Sequence, residues 1–292
     1  MHQFTIKDLE TLSGIKAHTL RIWEQRYDFI KPNRSFTNIR YYSSEELKTI
    51  LNIALLNKYG FKISHINKMS AVDINEKILS LNQQDAQQEM IVNELVKHMI
   101  DMNIEAFEKT LTNCIISKGI ERTITQIIFN YMEKIGVLWL TNHINPAQEH
   151  LVTNIIRQKL IVGIEGITTH LKVNKTVLLF LPESEYHELG LLFMYYLLKN
   201  RGIQVIYLGC NVPLADVGYV VKIKKPDYLY CHITRPGTSF SFDKFMLNLS
   251  KNLADTPCVI SGLLTHTYEK KILAPIVFKR NITEVMDFIS NL

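Results

Sequence analysis

Residues 171–292 alternate short apolar runs with stretches of helical periodicity, and this alternation constrains the fold more than any other feature of the chain. Each apolar run has the length of one strand, and each helical stretch can return the chain along a sheet. The pattern therefore predicts a doubly wound, Rossmann-like parallel sheet. The expected strands are 176–181, 203–208, 227–233, 257–261 and 275–278, and the expected helices are 189–200, 214–223, 241–252 and 283–290.

A histidine stands at the first strand-to-helix turn of this domain. Such a turn lies at the carboxyl edge of a parallel sheet, where open α/β folds bind ligands. Glu185 is placed to hold one ring nitrogen of His187 and leave the other for a metal, while Gly190 lets the backbone pass close to a bulky planar ligand. A lone histidine is structural by default, and only its position makes ligation an equal alternative.

Residues 1–75 carry the pattern of a winged helix-turn-helix. Thr5 caps a first helix, residues 13–14 break it, and a second helix covers about 17–27. A basic, aromatic stretch at 31–42 is typical of a wing, and a Ser/Glu capping box after it opens a longer helix.

Positive charge is concentrated in this module. The chain has a net charge of +5, and residues 1–75 hold seven lysines and four arginines against seven acidic residues, which places +4 there. This asymmetry indicates a surface that faces nucleic acid, although exposed arginines are also ordinary on any solvated helix. The residues expected to contact double-stranded DNA are His18, Thr19, Arg21, Arg26, Tyr27, Arg34, Arg40 and Tyr41.

Residues 76–170 contain four helical segments separated by short breaks, at about 85–100, 103–118, 120–140 and 146–167. Short connections between amphipathic helices predict an antiparallel four-helix bundle. The chain is thus expected to be multidomain, α and α/β, with modules at 1–75, 76–170 and 171–292.

Three motifs together resemble one family. Residues 19–27 and the basic wing after them are similar to the MerR-type winged helix-turn-helix; residues 19–27 read Thr-Leu-Arg-Ile-Trp-Glu-Gln-Arg-Tyr. In particular, they resemble the Leu-Arg-x-Trp-Glu-x-Arg-Tyr variant of the cobalamin-dependent photoreceptor repressors of carotenoid genes. The same repressors share a Trp-x9-Glu-His motif, here Trp139 with Glu149 and His150, and the cobalamin motif carboxylate-x-His-x-x-Gly, here 185–190.

The resemblance implies a DNA-binding transcriptional regulator with a cobalamin cofactor, most typically adenosylcobalamin. The corrin would lie between bundle and sheet, with His187 as the metal ligand below cobalt. Trp139, Glu149 and His150, which would by default be core or surface residues, would lie above it. The family also implies that light cleaves the cobalt–carbon bond and changes the assembly of a homo-oligomer, a dimer or tetramer, on its operator.

Two positions around the expected nucleotide tail of the cofactor depart from the family. A Ser-x-Leu element on the third strand corresponds here to Cys231-His232-Ile233, and a Gly-Gly pair after the fourth strand corresponds to Ser261-Gly262. A Cβ in place of a glycine narrows the slot, and cysteine is a poorer hydrogen-bond partner than serine. The resemblance nevertheless assigns Cys231, Ser261 and Gly262 to cofactor binding.

Composition excludes several other classes of protein. The four cysteines are scattered, which indicates reduced thiols and not a disulfide or zinc framework, and no apolar run is long enough to span a membrane. The sequence therefore predicts a cytoplasmic regulator that is not an enzyme. Two alternatives remain open: a MerR-type regulator whose sensor has drifted to another ligand or is empty, and a corrinoid carrier module of a methyltransferase.

Overall fold

The structure, a computed structural model, describes residues 4–34, 38–81, 84–140, 144–253 and 255–292, without the side chains of residues 84, 137, 139 and 140. The chain divides into two compact units, Met1–Ile155 and Ile156–Leu292.

The first unit begins with a winged helix-turn-helix, as the sequence predicted. Helix α1 (Ile6–Ser13) starts at a Thr5–Asp8 capping box and ends at Gly14, whose φ of 73° is left-handed. Helix α2 (Ala17–Arg26) follows, and strands β1 (Asn33–Arg34) and β2 (Arg40–Tyr41) pair antiparallel as the wing.

Three further helices complete this part of the chain. Helix α3 (Ser44–Lys58) opens at the predicted capping box between Ser43 and Glu46. Two short helices that periodicity did not predict follow, α4 (Ile63–Ile66) and α5 (Ala71–Leu79). The division proposed at residues 75 and 76 falls inside α5.

The four helical segments predicted for the middle of the chain are confirmed. The first, second and fourth are α6 (Gln84–Ile100), α7 (Ile104–Lys118) and α10 (Pro146–Glu165). The third is a continuous run of α8 (Ile120–Thr123), a π-helical turn (Ile124–Ile128) and α9 (Phe129–Leu140). Apolar side chains spaced three or four apart, among them Phe107, Leu111, Tyr131 and Ile135, are buried.

A chain of hydrogen bonds between buried and half-buried polar side chains links the helix-turn-helix to these helices. Lys134 on α9 donates to Asn93 Oδ1 on α6 at 2.6 Å, and Asn93 donates to Asn52 on α3 at 3.2 Å. Burial lowers the pKa of Lys134. Because unpaired polar groups are costly inside a core, these bonds fix the packing of α3 against α6 and α9.

The second unit is a five-stranded parallel sheet flanked by helices. Its elements are β3 (Val173–Pro182), α11 (Leu189–Asn200), β4 (Ile203–Val212), α12 (Leu214–Lys224), β5 (Tyr228–His232), α13 (Phe242–Asn252), β6 (Cys258–Ser261), α14 (Leu263–Thr267), β7 (Ile276–Lys279) and α15 (Ile282–Ser290). The strand order is β4-β3-β5-β6-β7, and every pairing is parallel. The doubly wound fold is confirmed.

This strand order places a topological switch point between β3 and β5. The chain leaves β3 toward β4 on one side and later returns to β5 on the other, so the loops after β3 and β5 diverge over a crevice. The loop after β3 holds residues 183–188, which include the predicted metal ligand. Separately, none of the helices described has both the length and the apolar character that a bilayer crossing requires.

Candidate functional site

The centre of the loop after β3 is a fully buried carboxylate. Glu185 Oε1 accepts hydrogen bonds from the N–H groups of Tyr186 and His187, both at 2.9 Å, and from His187 Nδ1 at 2.6 Å. Its other oxygen, Oε2, accepts from the backbone N–H groups of Thr234 and Arg235, both at 2.8 Å. One side chain therefore fixes the histidine ring and joins the loops on both sides of the switch point.

These bonds keep the carboxylate charged. Burial by itself would raise the pKa of Glu185, but the hydrogen bonds from the His187 side chain and from backbone N–H groups outweigh it and lower the pKa. A carboxylate only accepts, so His187 Nδ1 donates, and the lone pair of the imidazole resides on Nε2. The His187 side chain is 48% exposed, which is the geometry of a metal-binding imidazole held by an outer carboxylate.

Further backbone contacts shape the same loop. Ser184 adopts a positive φ of 68°, and its N–H donates to Asn211 Oδ1 at 2.9 Å. The N–H of Asn211 in turn donates to the Glu185 carbonyl at 3.1 Å, and that of Gly237 donates to the Ser184 carbonyl at 2.9 Å. The imidazole thus stands on a loop anchored both to the end of β4 and to the loop after β5, which limits its motion.

The residue after the histidine lies in a second polar cluster, which the sequence did not reveal. Glu188 Oε1 pairs with Arg157 Nε at 2.5 Å, and its Oε2 accepts from the Tyr207 hydroxyl at 3.0 Å. Tyr207 stacks on Tyr195 with ring centroids 5.3 Å apart, and burial, with the charge of Glu188, raises its pKa. The start of α11 is thereby tied to β4 and to α10.

The predicted glycine lies against a histidine. A Cβ built on Gly190 would come within 2.5 Å of the His232 ring, so glycine is required here by the protein's own packing. His232 Nδ1 lies 2.8 Å from Ser261 Oγ, which is 2.7 Å from the Tyr230 hydroxyl. Although part of His232 reaches the surface, burial lowers its pKa to about 4, so the ring is neutral near pH 7.

The other two predicted tail-contacting residues have different positions. Gly262 has a φ of 99°, and a Cβ there would meet the Ile233 carbonyl at 2.3 Å. Cys231 is fully buried in the core cluster that contains Val217 and Phe245, and burial raises the pKa of its thiol. The structure brings Glu185, His187, Gly190 and Ser261 to one edge of the sheet, whereas Cys231 points into the core.

The residues expected above cobalt belong to the helical segments. Glu149 lies in the first turn of α10 and is partly exposed, and the adjacent His150 is exposed. The charge of Glu149 adds to burial in raising the pKa of Tyr131, which places α9 and this turn in electrostatic contact. Trp139 lies on α9, and its side chain is outside the described part of the structure.

Helix α2 presents a polar face. Leu20 and Trp23 are buried, while His18, Arg21 and Arg26 are exposed, in agreement with the periodicity. Thr19 is partly exposed, with its hydroxyl 3.4 Å from the His18 ring, and the partly exposed Tyr27 stacks on Phe29 at 5.5 Å. The exposed stripe has the spacing with which a recognition helix contacts a DNA groove.

In the wing, two arginines have different environments. Arg34 is exposed and donates to Asn38 Oδ1 at 2.7 Å. Arg40 is partly buried, and its Nε lies 3.1 Å from Glu24 Oε2 on α2, a carboxylate that also accepts from the Tyr42 hydroxyl. Tyr41 is partly exposed beside it. Arg40 therefore connects the wing to α2, and Arg34 is the more exposed of the two arginines.

Comparison with known proteins defines the class. Residues 4–71 match the MerR HTH family regulatory proteins, and residues 91–162 match the B12 binding domain. The chain therefore carries a MerR-type helix-turn-helix and a B12-binding domain, which is the domain composition of a DNA-binding transcriptional regulator.

Two relatives from Myxococcus xanthus match nearly the whole chain. The HTH-type transcriptional repressor CarA is 25% identical over 92% of this chain and 90% of its own length. The HTH-type transcriptional repressor CarH is 22% identical over 88% of each chain. The fold is also similar to the monomethylamine corrinoid protein of Methanosarcina barkeri, with a TM-score of 0.53 at 15% identity over 70% of this chain and all of that one.

Proposed function

We propose that this chain is a transcriptional regulator whose DNA binding is controlled by a cobalamin that His187 ligates through Nε2. The observation that carries this proposal is the imidazole at the switch point, held on its Nδ1 side by the buried, charged Glu185. The match of residues 91–162 to the B12 binding domain supports the identity of the ligand.

The residues at this edge of the sheet fit a corrinoid metal centre. A neutral imidazole fixed by a carboxylate is a strong ligand for a transition metal, and the exposed ring leaves room for a broad planar macrocycle above it. His187 would displace the vitamin's own base and bring the cofactor onto the protein.

We propose adenosylcobalamin as the bound form, because the sequence motifs resemble those of the photoreceptor repressors. Adenosylcobalamin would supply a cobalt–carbon bond that light cleaves. In the helical segments, Trp139 would fill space beside the adenosyl group, and Glu149 would accept hydrogen bonds from its ribose hydroxyls. His150, exposed and adjacent, would offer a second imidazole.

The output of the regulator would be a change of assembly and of operator affinity. Helix-turn-helix proteins read two half-sites as two-fold dimers, so we expect a dimer or a tetramer on DNA. The names of the two Myxococcus relatives favour repression over activation as the effect on transcription.

The experiment is a comparison of dark and illuminated protein. The full chain is loaded with adenosylcobalamin in the dark, and half is illuminated. Both halves are then measured by size-exclusion chromatography and by titration with duplex DNA from its own promoter region. Protein loaded with hydroxocobalamin, which has no cobalt–carbon bond to an adenosyl group, is the control.

The proposal predicts that light changes the elution volume and the DNA affinity of the adenosylcobalamin sample only. Identical behaviour before and after light would contradict light sensing and leave a cobalamin-binding regulator. Protein that binds DNA but remains colourless after desalting would contradict the cobalamin proposal itself and favour a sensor that has drifted to another ligand.

A further inference from the structure

The crevice at the switch point is filled by the protein's own side chains. The Glu185 carboxylate bridges the loops after β3 and β5 through Thr234 and Arg235. Behind it, the His232 ring packs so tightly on the first turn of α11 that only a glycine fits at position 190. The space that an open α/β sheet normally offers to a ligand is therefore occupied at this depth.

The His232 ring is held in place from its other side. Its Nδ1 bonds to Ser261 Oγ, and the buried Tyr230 hydroxyl bonds to the same oxygen. A serine hydroxyl has one donor and two acceptor positions, so one Ser261 side chain serves both neighbours. Moving the imidazole out would break this chain of bonds and leave buried polar atoms without partners.

The ends of β5 and β6 are also closed against each other. The Ile233 N–H donates to the Ser261 carbonyl at 2.8 Å, and the positive φ of Gly262 brings the backbone directly onto Ile233. Because backbone atoms meet here, rearrangement of a side chain cannot open a gap between the two strands.

A cobalamin has two parts that would meet this edge differently. The corrin ring would lie over the exposed His187 side chain. The nucleotide tail hangs from the lower face of the corrin and, once its base is displaced from cobalt, must either enter the crevice beside Gly190 or lie outside it. His232 occupies the first of these positions.

We infer that His232 determines which corrinoids this chain accepts: it keeps the nucleotide tail out of the sheet, so the protein binds the corrin ring whatever nucleotide the ring carries. This inference rests on the proposed cobalamin function and adds to it the class of ligand, corrinoids with a varied or missing lower nucleotide.

The test compares cobalamin with cobinamide, the same ring without the nucleotide. Both are titrated in the dark into the full-length apoprotein, and binding is followed by the visible spectrum. Cobinamide has no base for His187 to displace, so the inference predicts that the wild type binds it at least as tightly as cobalamin. Cobalamin binding on the order of tenfold tighter or more would show nucleotide contacts in the sheet and overturn the inference.

Variants test the residue itself. His232→Ala should open the crevice and shift the ratio of the two affinities toward cobalamin on the order of tenfold, with cobinamide binding unchanged. His266→Ala, which removes an exposed histidine on the neighbouring α14, is the matched control and should leave the ratio unchanged. An unchanged ratio in a folded His232→Ala protein would contradict the inference, and the wild-type comparison needs no variant to fold.

The two proposals fail differently. If the wild type binds neither corrinoid, the cobalamin function is wrong and the specificity inference falls with it. If it binds cobalamin and strongly rejects cobinamide, the cobalamin function stands and only the role of His232 is wrong.

Discussion

Glu185 Oε1 lies 2.6 Å from His187 Nδ1, and Oε2 of the same carboxylate lies 2.8 Å from the backbone nitrogens of Thr234 and Arg235. The residue that orients the proposed metal ligand is therefore also the residue that closes the loops over the sheet. Any change at Glu185 acts on both functions, and substitutions of different size can separate them.

Glu185→Gln keeps the shape of the side chain and removes its charge. The amide can still accept from Thr234 and Arg235 or from His187, but the imidazole loses a charged partner. We expect cobalamin affinity to fall about 10- to 100-fold, as for other partners of metal-ligating histidines. Glu185→Ala should lower the cobalamin affinity further and also lower the melting temperature, because buried N–H groups lose their acceptor. Equal affinity for Glu185→Gln and wild type in a spectral titration would show that the carboxylate does not tune the ligand.

Gly190→Ala should destabilise the second unit. The new Cβ would come within 2.5 Å of the His232 ring, which is wedged against Ser261. Overpacking of this kind costs about 1–3 kcal/mol. The double variant Gly190→Ala with His232→Ala should recover most of that loss, which denaturant unfolding of the four proteins of the cycle would measure. A purely additive double variant would mean that the two residues do not clash.

DNA binding should depend on the exposed arginines more than on Arg40. Arg21→Ala or Arg34→Ala removes an exposed cation and should lower the slope of log affinity against log salt by about one if that residue contacts a phosphate. Arg40→Ala breaks the contact with Glu24, so it should weaken binding by loosening the wing and lower the melting temperature as well. Lys109→Ala, an exposed lysine on α7, is the control and should leave the salt slope unchanged.

Acid should destabilise the second unit partly through His232. Burial lowers the pKa of this imidazole from 6.5 to about 4, so the unfolded chain binds the proton more tightly than the folded one. The contribution of the neutral His232 to the free energy of unfolding is fully present above pH 6.5. It is lost as the pH falls toward 4, at up to about 1.4 kcal/mol per pH unit for one proton. The variant His232→Asn should show a flatter dependence over this window in urea unfolding, and His266→Asn should follow the wild type. Parallel wild-type and His232→Asn curves would show that His232 titrates normally.

Regular secondary structure was largely predictable from the sequence because periodicity determines it. The predicted helix 189–200 is α11 to the residue, and the predicted strand 176–181 lies within β3. Short elements such as α4 and α14 were missed, since four or five residues are too few to show a period.

The sequence predicted only those parts of the site that are formed by side chains with a characteristic spacing. Glu185, His187 and Gly190 stand in a recognisable spacing, and the structure confirms the bond between the first two. The donors at Thr234 and Arg235 are backbone groups, which no residue pattern reveals. The reason for Gly190 also lay elsewhere, in a histidine 42 positions later that only the fold brings against it.

The most direct test of cobalt ligation by His187 is the visible spectrum of the full chain after dark incubation with adenosylcobalamin and desalting, beside His187→Ala and the exposed control His266→Ala. We predict a coloured wild type and control, with the spectrum of a corrinoid whose own base has been replaced by an imidazole. His187→Ala should lose that spectrum and most of the bound cofactor. A His187→Ala protein with the wild-type spectrum and affinity would contradict the assignment of His187 as the metal ligand and, with it, the role of Glu185 in orienting that ligand.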